Sequence, residues 1–226
     1  MSMWVKICAN TTLDDTLLAA EAGADAVGFV FAPSKRQVTV EQVAAIVPGL
    51  PAALEKIGVF VDAGIEEIVA AVERSGLSGV QLHFDADLAL TAELRRRLGG
   101  EKKILRVLHF GSGPLDDGTL ARLTDPSVDA VLVDSRTSKG AGGTGEAFDW
   151  IAASRTLFRE ATERGIKLVV AGGLGPENVA EAIRVLNPWG VDVASGVEAA
   201  PGRKDPAKVR AFVANARGVP GIKRLR

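Results

Sequence analysis

Two residues attract attention because of where they fall. Cys8 closes the apolar run Trp4-Cys8, and Asp134 closes the apolar run Ala130-Asp134. A thiol and a carboxyl can each give or take a proton, so both residue types are candidates for general acid-base work. An unpaired carboxylate ending a stretch as apolar as Val131-Leu-Val is costly to bury, which asks for a partner or a task; capping or anchoring a loop is its plainer job. A lone cysteine at such a place also reads as a small buried hydrophobe. Two glycine-bearing turns, Ala171-Gly-Gly-Leu-Gly-Pro and Ala194-Ser-Gly-Val-Glu, could bring backbone N–H groups up to an anion that a side chain would hold off.

A third glycine-rich segment, Gly140-Ala-Gly-Gly-Thr-Gly145, has the spacing of a dinucleotide-binding turn. That motif also needs a carboxylate at the end of the following strand to hold a ribose, and here that strand ends in Val169-Val-Ala-Gly-Gly. No lysine follows Gly145 to make a nucleotide loop. The segment therefore reads as a lid with glycine hinges that closes over bound substrate. The two histidines, His83 and His109, are too few and too scattered for a metal site and read as structural or supporting groups.

The elements that must position these groups follow from periodicity. Short, almost continuously apolar runs alternate with longer amphipathic stretches, the pattern of parallel strands covered by helices. The strands are expected at 4–8, 26–31, 56–61, 79–83, 104–110, 130–134, 167–171 and 192–195. Helices are expected at 13–22, 40–47, 65–75, 88–98, 114–123, 148–164, 178–185 and 205–216. Thr12 and Asp14, Thr39, Asp87 and Asp205 offer oxygens to helix starts, and Gly23 and Gly165 supply left-handed stops. Ala22-Gly-Ala-Asp-Ala-Val27 and Ser127-Val-Asp-Ala-Val131 form a faint internal echo. Eight βα units with nothing left over predict a single-domain (β/α)8 barrel over residues 1–217 with a C-terminal tail at 218–226, in preference to an open doubly wound sheet. In such a barrel chemistry gathers at the carboxyl ends of the strands, and phosphate sites form after strands seven and eight, where the two glycine turns lie.

With 27 basic and 28 acidic residues the formal net charge is -1, so no basic field is available for nucleic acid or an anionic membrane. The apolar runs are too short to span a bilayer, and no leader pattern opens the chain. One cysteine permits no intrachain disulfide. These features predict an unprocessed cytoplasmic protein, and the glycine turns a small phosphorylated ligand; monomer and homodimer both suit such a barrel, and no metal or cofactor is expected. Arg106, inside the fifth strand, is expected to pair with Glu198 or Asp192.

In order and spacing, several segments together resemble the phosphoribosylanthranilate isomerase family of tryptophan biosynthesis. They are Lys6-Ile-Cys8, Ala26-Val-Gly-Phe-Val-Phe31 with Ser34-Lys-Arg36, Gly58-Val-Phe-Val61, Val80-Gln-Leu-His83 and Asp134 before Gly142-Gly-Thr-Gly-x-x-Phe-Asp-Trp150. Gly172-Gly-Leu-x-Pro-Glu-Asn178 and Ser195-Gly-Val-Glu-x-x-Pro-Gly-x-Lys-Asp205 complete the series. The resemblance covers nearly the whole chain. It implies an Amadori rearrangement of N-(5'-phosphoribosyl)anthranilate to the carboxyphenylamino-deoxyribulose phosphate, with Cys8 as general base and Asp134 as general acid. It also implies that Arg36 holds the anthranilate carboxylate and that Gly173, Ala194, Ser195 and Gly196 hold the phosphate through backbone N–H groups. A histidine-pathway aminoaldose isomerase would want an aspartate where Cys8 stands, and a non-catalytic binding barrel should have lost Cys8 or Asp134.

Three positions depart from the family pattern. Ala9 stands where glycine is usual and is expected to restrict the turn beside the base. Phe84 follows His83 where glycine is usual, and is expected to fill the rim rather than stack on the anthranilate ring. Ala194 stands where serine is common, which removes a hydroxyl but leaves the backbone donors.

Overall fold

A computed structural model describes residues 3–109, 116–134 and 150–219. Eight parallel strands close into a barrel in chain order: β1 Trp4–Ile7, β2 Ala26–Val30, β3 Glu55–Phe60, β4 Gly79–Leu82, β5 Lys103–His109, β6 Ala130–Asp134, β7 Leu168–Ala171 and β8 Gly190–Val193. β1 closes the ring against β8, with Trp4 beside Gly190 and Lys6 beside Asp192. The surrounding helices are α1 Leu13–Glu21, α2 Val40–Ile46, α3 Ile65–Ser75, α4 Leu88–Leu98, α5 Asp117–Leu123, α6 Trp150–Arg155, α7 Leu157–Glu163, α8 Val179–Leu186 and α9 Pro206–Arg217. No helix among the described residues is long and apolar enough to cross a membrane.

Side chains alternate across each strand, so one set fills the barrel and the other meets the helices. Trp4, Ala26, Ile57, Leu105, Val107, Ala130, Leu132, Val169 and Ala171 form the inner cluster. The larger cluster, with Val5, Val27, Phe29, Phe60, Val80, Val131, Val170 and Val191, lies between sheet and helices.

Local chemistry starts and stops the helices. Thr12 caps α1 through Asp15 N–H, Thr39 and Gln42 form a reciprocal capping box on α2, Asp87 caps α4 and Asp205 caps α9. Asp14 lies within the first turn of α1, a place for charge complementarity rather than capping. Gly23 and Gly165 take positive φ, as expected of left-handed stops.

Three expectations need correction, and one element is new. The eighth strand is Gly190–Val193, because Ala194 leaves the extended region and Ser195–Val197 forms a 3-10 turn. The single helix expected at 148–164 is two, broken at Thr156, whose hydroxyl donates to the Ala152 carbonyl at 3.0 Å while its backbone leaves the helical region. A short two-stranded ribbon that periodicity did not suggest, β9 Glu198–Ala200 with β10 Arg203–Lys204, precedes α9. Arg106 pairs with neither Glu198 nor Asp192 but with Asp125 at 2.8 Å, and it also donates to the Thr91 hydroxyl and the Ala86 carbonyl. It sits between Leu105 and Val107, both of the inner cluster, so strand alternation aims it outward at the helical layer. The lid segment 140–145, residue 110 of the expected fifth strand, residues 114–115 and 148–149 of the expected fifth and sixth helices, and residues 220–226 of the tail lie outside the described residues.

Candidate active site

The carboxyl ends of the strands bring the candidate residues to one end of the barrel. Cys8 follows β1 directly, its N–H donating to the Val193 carbonyl of β8 at 2.7 Å, and its side chain is almost wholly buried. A Cβ at Gly28 of β2 would lie 2.6 Å from Cys8 Sγ and 3.1 Å from Lys6 Cε, so glycine there makes room for the thiol and for the lysine beneath it. Asp134 ends β6 and is also buried.

Below them runs a polar layer inside the barrel. The fully buried Lys6 Nζ donates to Gln81 Oε1 at 2.9 Å and to both oxygens of Asp192 at 3.0 Å. Gln81 Nε2 lies 3.3 Å from His83 Nδ1, and His83 Nε2 lies 3.7 Å from Asp134 Oδ2. A continuous row of polar side chains thus reaches from beneath the thiol to the carboxyl across the barrel. If Gln81 donates to Nδ1, the imidazole turns its Nε2–H toward Asp134.

Beside Cys8 a second ionic group gathers. Arg36, in the loop after β2, grips Glu198 with Nε at 2.8 Å and Nη2 at 2.6 Å. Glu198 Oε1 accepts from the Gly202 N–H at 3.2 Å and lies 3.6 Å from Lys204 Nζ. Lys204 Nζ donates to the carbonyls of Cys8 at 2.6 Å and Ala194 at 3.4 Å. Three cations, Lys6, Arg36 and Lys204, therefore face two carboxylates, Asp192 and Glu198, which leaves one positive charge over around the thiol.

The titration of these groups follows from the same arrangement. Burial pushes the Cys8 thiol above its ordinary range; Lys6 and then Lys204 pull the other way, and Asp192 adds to the upward push. Burial also opposes the charge on Lys6, but Asp192 and Cys8 outweigh it and Lys6 stays a firm cation. For Lys204 burial wins and lowers its pKa, with Glu198 in partial compensation. Glu198 lies below the ordinary carboxylate range because Arg36, Lys204 and the Gly202 N–H together outweigh its burial.

The two glycine turns meet at the same end. Gly172 and Gly173 have φ of 80° and 65°, backbone that favours glycine. A Cβ at Gly196 would lie 1.9 Å from the Leu174 carbonyl oxygen, so only glycine allows the turns after β7 and β8 to approach this closely. Asn178 braces the first turn, accepting from Gly175 N–H at 2.8 Å and donating to the Gly173 carbonyl at 2.9 Å. Gly173 and Ser195 are exposed, and Ala194 and Gly196 half-buried, so these turns open to solvent.

The departures from the family pattern have local accounts. Ala9 sits at φ 60°, left-handed backbone that costs a residue with a Cβ on the order of 1–2 kcal/mol. Its neighbours over-determine that strain: the fully buried Asn10 amide donates to the Ile7 carbonyl at 2.8 Å, and Lys204 holds the Cys8 carbonyl. Phe84 packs against the outer apolar cluster, the rim-filling option. Ala194 keeps its backbone in the second turn. No group of three His, Cys, Asp or Glu side chains suited to a metal occurs among the described residues.

The structure brings Cys8, Asp134, Arg36 and the glycine turns to one end of the barrel, together with Lys6, Gln81, Asp192, Glu198 and Lys204, which the sequence alone does not single out as neighbours. A signal exists for two of them: Lys6 and Gln81 stand two residues before Cys8 and His83, in the alternation that faces the barrel interior.

Comparison with known proteins shows the family. The chain matches the family model for N-(5'phosphoribosyl)anthranilate (PRA) isomerase over residues 5–215. It is 44% identical over 214 residues to the N-(5'-phosphoribosyl)anthranilate isomerase of Geobacter sp. (strain M21), covering 94% of this chain and 97% of that one. Among solved structures it is similar to phosphoribosyl anthranilate isomerase from Thermotoga maritima, with a TM-score of 0.82 and 37% identity over 96% of this chain and 99% of that one. A phosphoribosyl anthranilate isomerase in complex with reduced 1-(o-carboxyphenylamino)-1-deoxyribulose 5-phosphate is similar with a TM-score of 0.78 and 35% identity, over 96% and 99% of the two chains.

Proposed function

The chain belongs to the N-(5'-phosphoribosyl)anthranilate isomerase family, and we propose that Cys8 is the general base and Asp134 the general acid of its Amadori rearrangement. The observation that carries this reading is that a buried thiol just after β1 and a buried carboxyl ending β6 lie on the side of one barrel where the glycine turns open.

In this reading Asp134, as the acid, gives a proton to the furanose ring oxygen, the C1'–O bond breaks, and the anilino nitrogen lone pair forms the Schiff base. The Cys8 thiolate then takes the C2' proton. The released electron pair forms the C1'–C2' double bond of an enolamine and neutralises the imine nitrogen. Tautomerisation, with a proton gained at C1' and the C2' hydroxyl proton lost, gives the aminoketose. His83, beside Asp134, is placed to adjust that carboxyl's orientation.

The remaining donors serve the substrate's two anionic ends. Arg36 gives Nε and Nη2 to Glu198, and its Nη1 is available for the anthranilate carboxylate. The N–H groups of Gly173, Ala194, Ser195 and Gly196 would cradle the phosphate, which the φ of Gly173 and the bare Cα of Gly196 make approachable.

The test is the fluorescence decay of phosphoribosylanthranilate generated in situ. Cys8→Ser and Asp134→Asn should each lower kcat by roughly 10²–10⁴-fold, the range of a lost acid-base group, while folding is retained. Turnover within about threefold of the parent in either variant would remove that residue from its role. Binding without decay in the unsubstituted protein would favour a non-catalytic barrel or the sibling aminoaldose substrate.

A further inference from the structure

Lys204 belongs to no strand of the barrel, yet its side chain is fully buried against the site. Its Nζ meets oxygens from three segments: the Cys8 carbonyl after β1, the Ala194 carbonyl after β8, and the Glu198 carboxylate of β9. Through Glu198 it reaches a fourth, because that carboxylate holds Arg36 in the loop after β2. Its own backbone is fixed as well, the Lys204 N–H donating to Asp15 Oδ2 in the first turn of α1 at 3.1 Å.

A buried ammonium is expensive, and only a full set of oxygen partners offsets that cost. What the cation adds is convergence. The carbonyl it holds belongs to the peptide between Cys8 and Ala9, the same peptide that leads into the left-handed Ala9. We propose that Lys204 is a positioning residue for the reaction, holding the Cys8 turn, the Ala194 turn and the Glu198–Arg36 pair in one constellation. This rests on the reading of Cys8 as the base. The ribbon β9–β10 is then the device that carries a charged tie from outside the barrel into its mouth.

The tie also has an electrostatic consequence. The charged groups acting on Cys8 are Lys6 and Asp192 from within the barrel and Lys204 and Arg36 from the side, where Glu198 holds the latter two. Removing Lys204 takes one cation from this set and leaves two cations against two carboxylates, so the thiolate loses the charge left over in its favour. A role confined to packing would not move the thiol's ionisation.

Cys8 is the one cysteine of the chain, so the ultraviolet absorbance of its thiolate can be titrated without interference. The titration is made on the unsubstituted protein, on Lys204→Met and on Lys204→Gln, which is neutral but keeps a donor. The expected result is a midpoint displaced to higher pH by about 1 unit or more in both variants. With it should come a kcat lowered about tenfold and a pH–rate profile whose acidic limb moves the same way. A folded variant of either kind that titrates and turns over like the parent overturns the proposal. Failure of both variants to fold overturns it too, since Lys204 would then be a structural keystone. A fully active Cys8→Ser protein fails the base assignment itself, and this proposal with it, whatever the titration shows.

Discussion

The two ends of the barrel are built from opposite materials. At the amino-terminal end Trp4 and Trp189 stack with ring centroids 5.1 Å apart, Lys167 lies over Trp189, and the space left among Trp4, Leu105, Ala130 and their neighbours is only about 10 Å³. At the carboxyl-terminal end buried charges, a strained alanine and open glycine turns share the space. The first end is a plug whose worth is burial; the second keeps charges in place that an apolar core would not tolerate. The difference teaches where each kind of substitution should be felt. Changes at the plug should cost stability and spare turnover, whereas changes at the mouth should cost turnover and spare, or even improve, stability.

The largest expected effect breaks this division on purpose. Lys6→Met leaves Asp192 buried without its partner and should destabilise the protein by about 3–5 kcal/mol, measured by urea unfolding. Adding Asp192→Leu should restore most of that loss while leaving catalysis impaired, and restored turnover in the double variant would show that the polar layer matters only for folding. Next, Trp189→Ala should cost about 2–3 kcal/mol, less than a fully buried tryptophan because the ring is half-buried, with kcat/KM unchanged. A drop in kcat/KM larger than about threefold would couple the plug to the mouth.

A smaller effect concerns acid. Glu198 has a folded pKa below its ordinary 4.5, so its contribution to stability is present above that value and lost as pH falls through the lowered one. Glu198→Gln should therefore flatten the acidic limb of stability against pH, read from thermal unfolding at a series of pH values. An unchanged slope would mean that the Arg36–Glu198 fork forms only weakly in solution. The smallest effect is expected of Ala9→Gly, which relieves the positive φ but loosens the unfolded chain; stability should change by under about 1 kcal/mol. If kcat rises with it, the added methyl restrains the turn that carries the thiol.

The barrel was legible because its interior is simple. Continuous apolar runs such as Val131-Leu-Val and Leu168-Val-Val require burial on both faces, and caps such as Thr39 and Asp205 mark helix starts within a residue or two. What escaped reading was pairwise. Arg106 reads as a charge in want of an acid, but alternation puts it on the outer face, where its acid comes from the loop before β6 rather than from β8 or beyond. The ribbon that carries Glu198 and Lys204 is too short to show a period, and the partners that give it meaning are contributed by β1, β2 and β8. Cys8 and Asp134 could be noticed at strand ends, but not the ions that govern the thiol, because charge balance belongs to the assembled ring.

One consequence lies in the seam where β1 meets β8. Lys6 and Asp192 are 186 residues apart along the chain, and each is an isolated buried charge until both strands are in place. A growing polypeptide emerges with β1 unable to complete its ring until β8 is made, so contacts of such long sequence separation should delay closure. The ion pair that underlies the thiol in the finished molecule is thus also the clasp that joins the first and last strands of the ring.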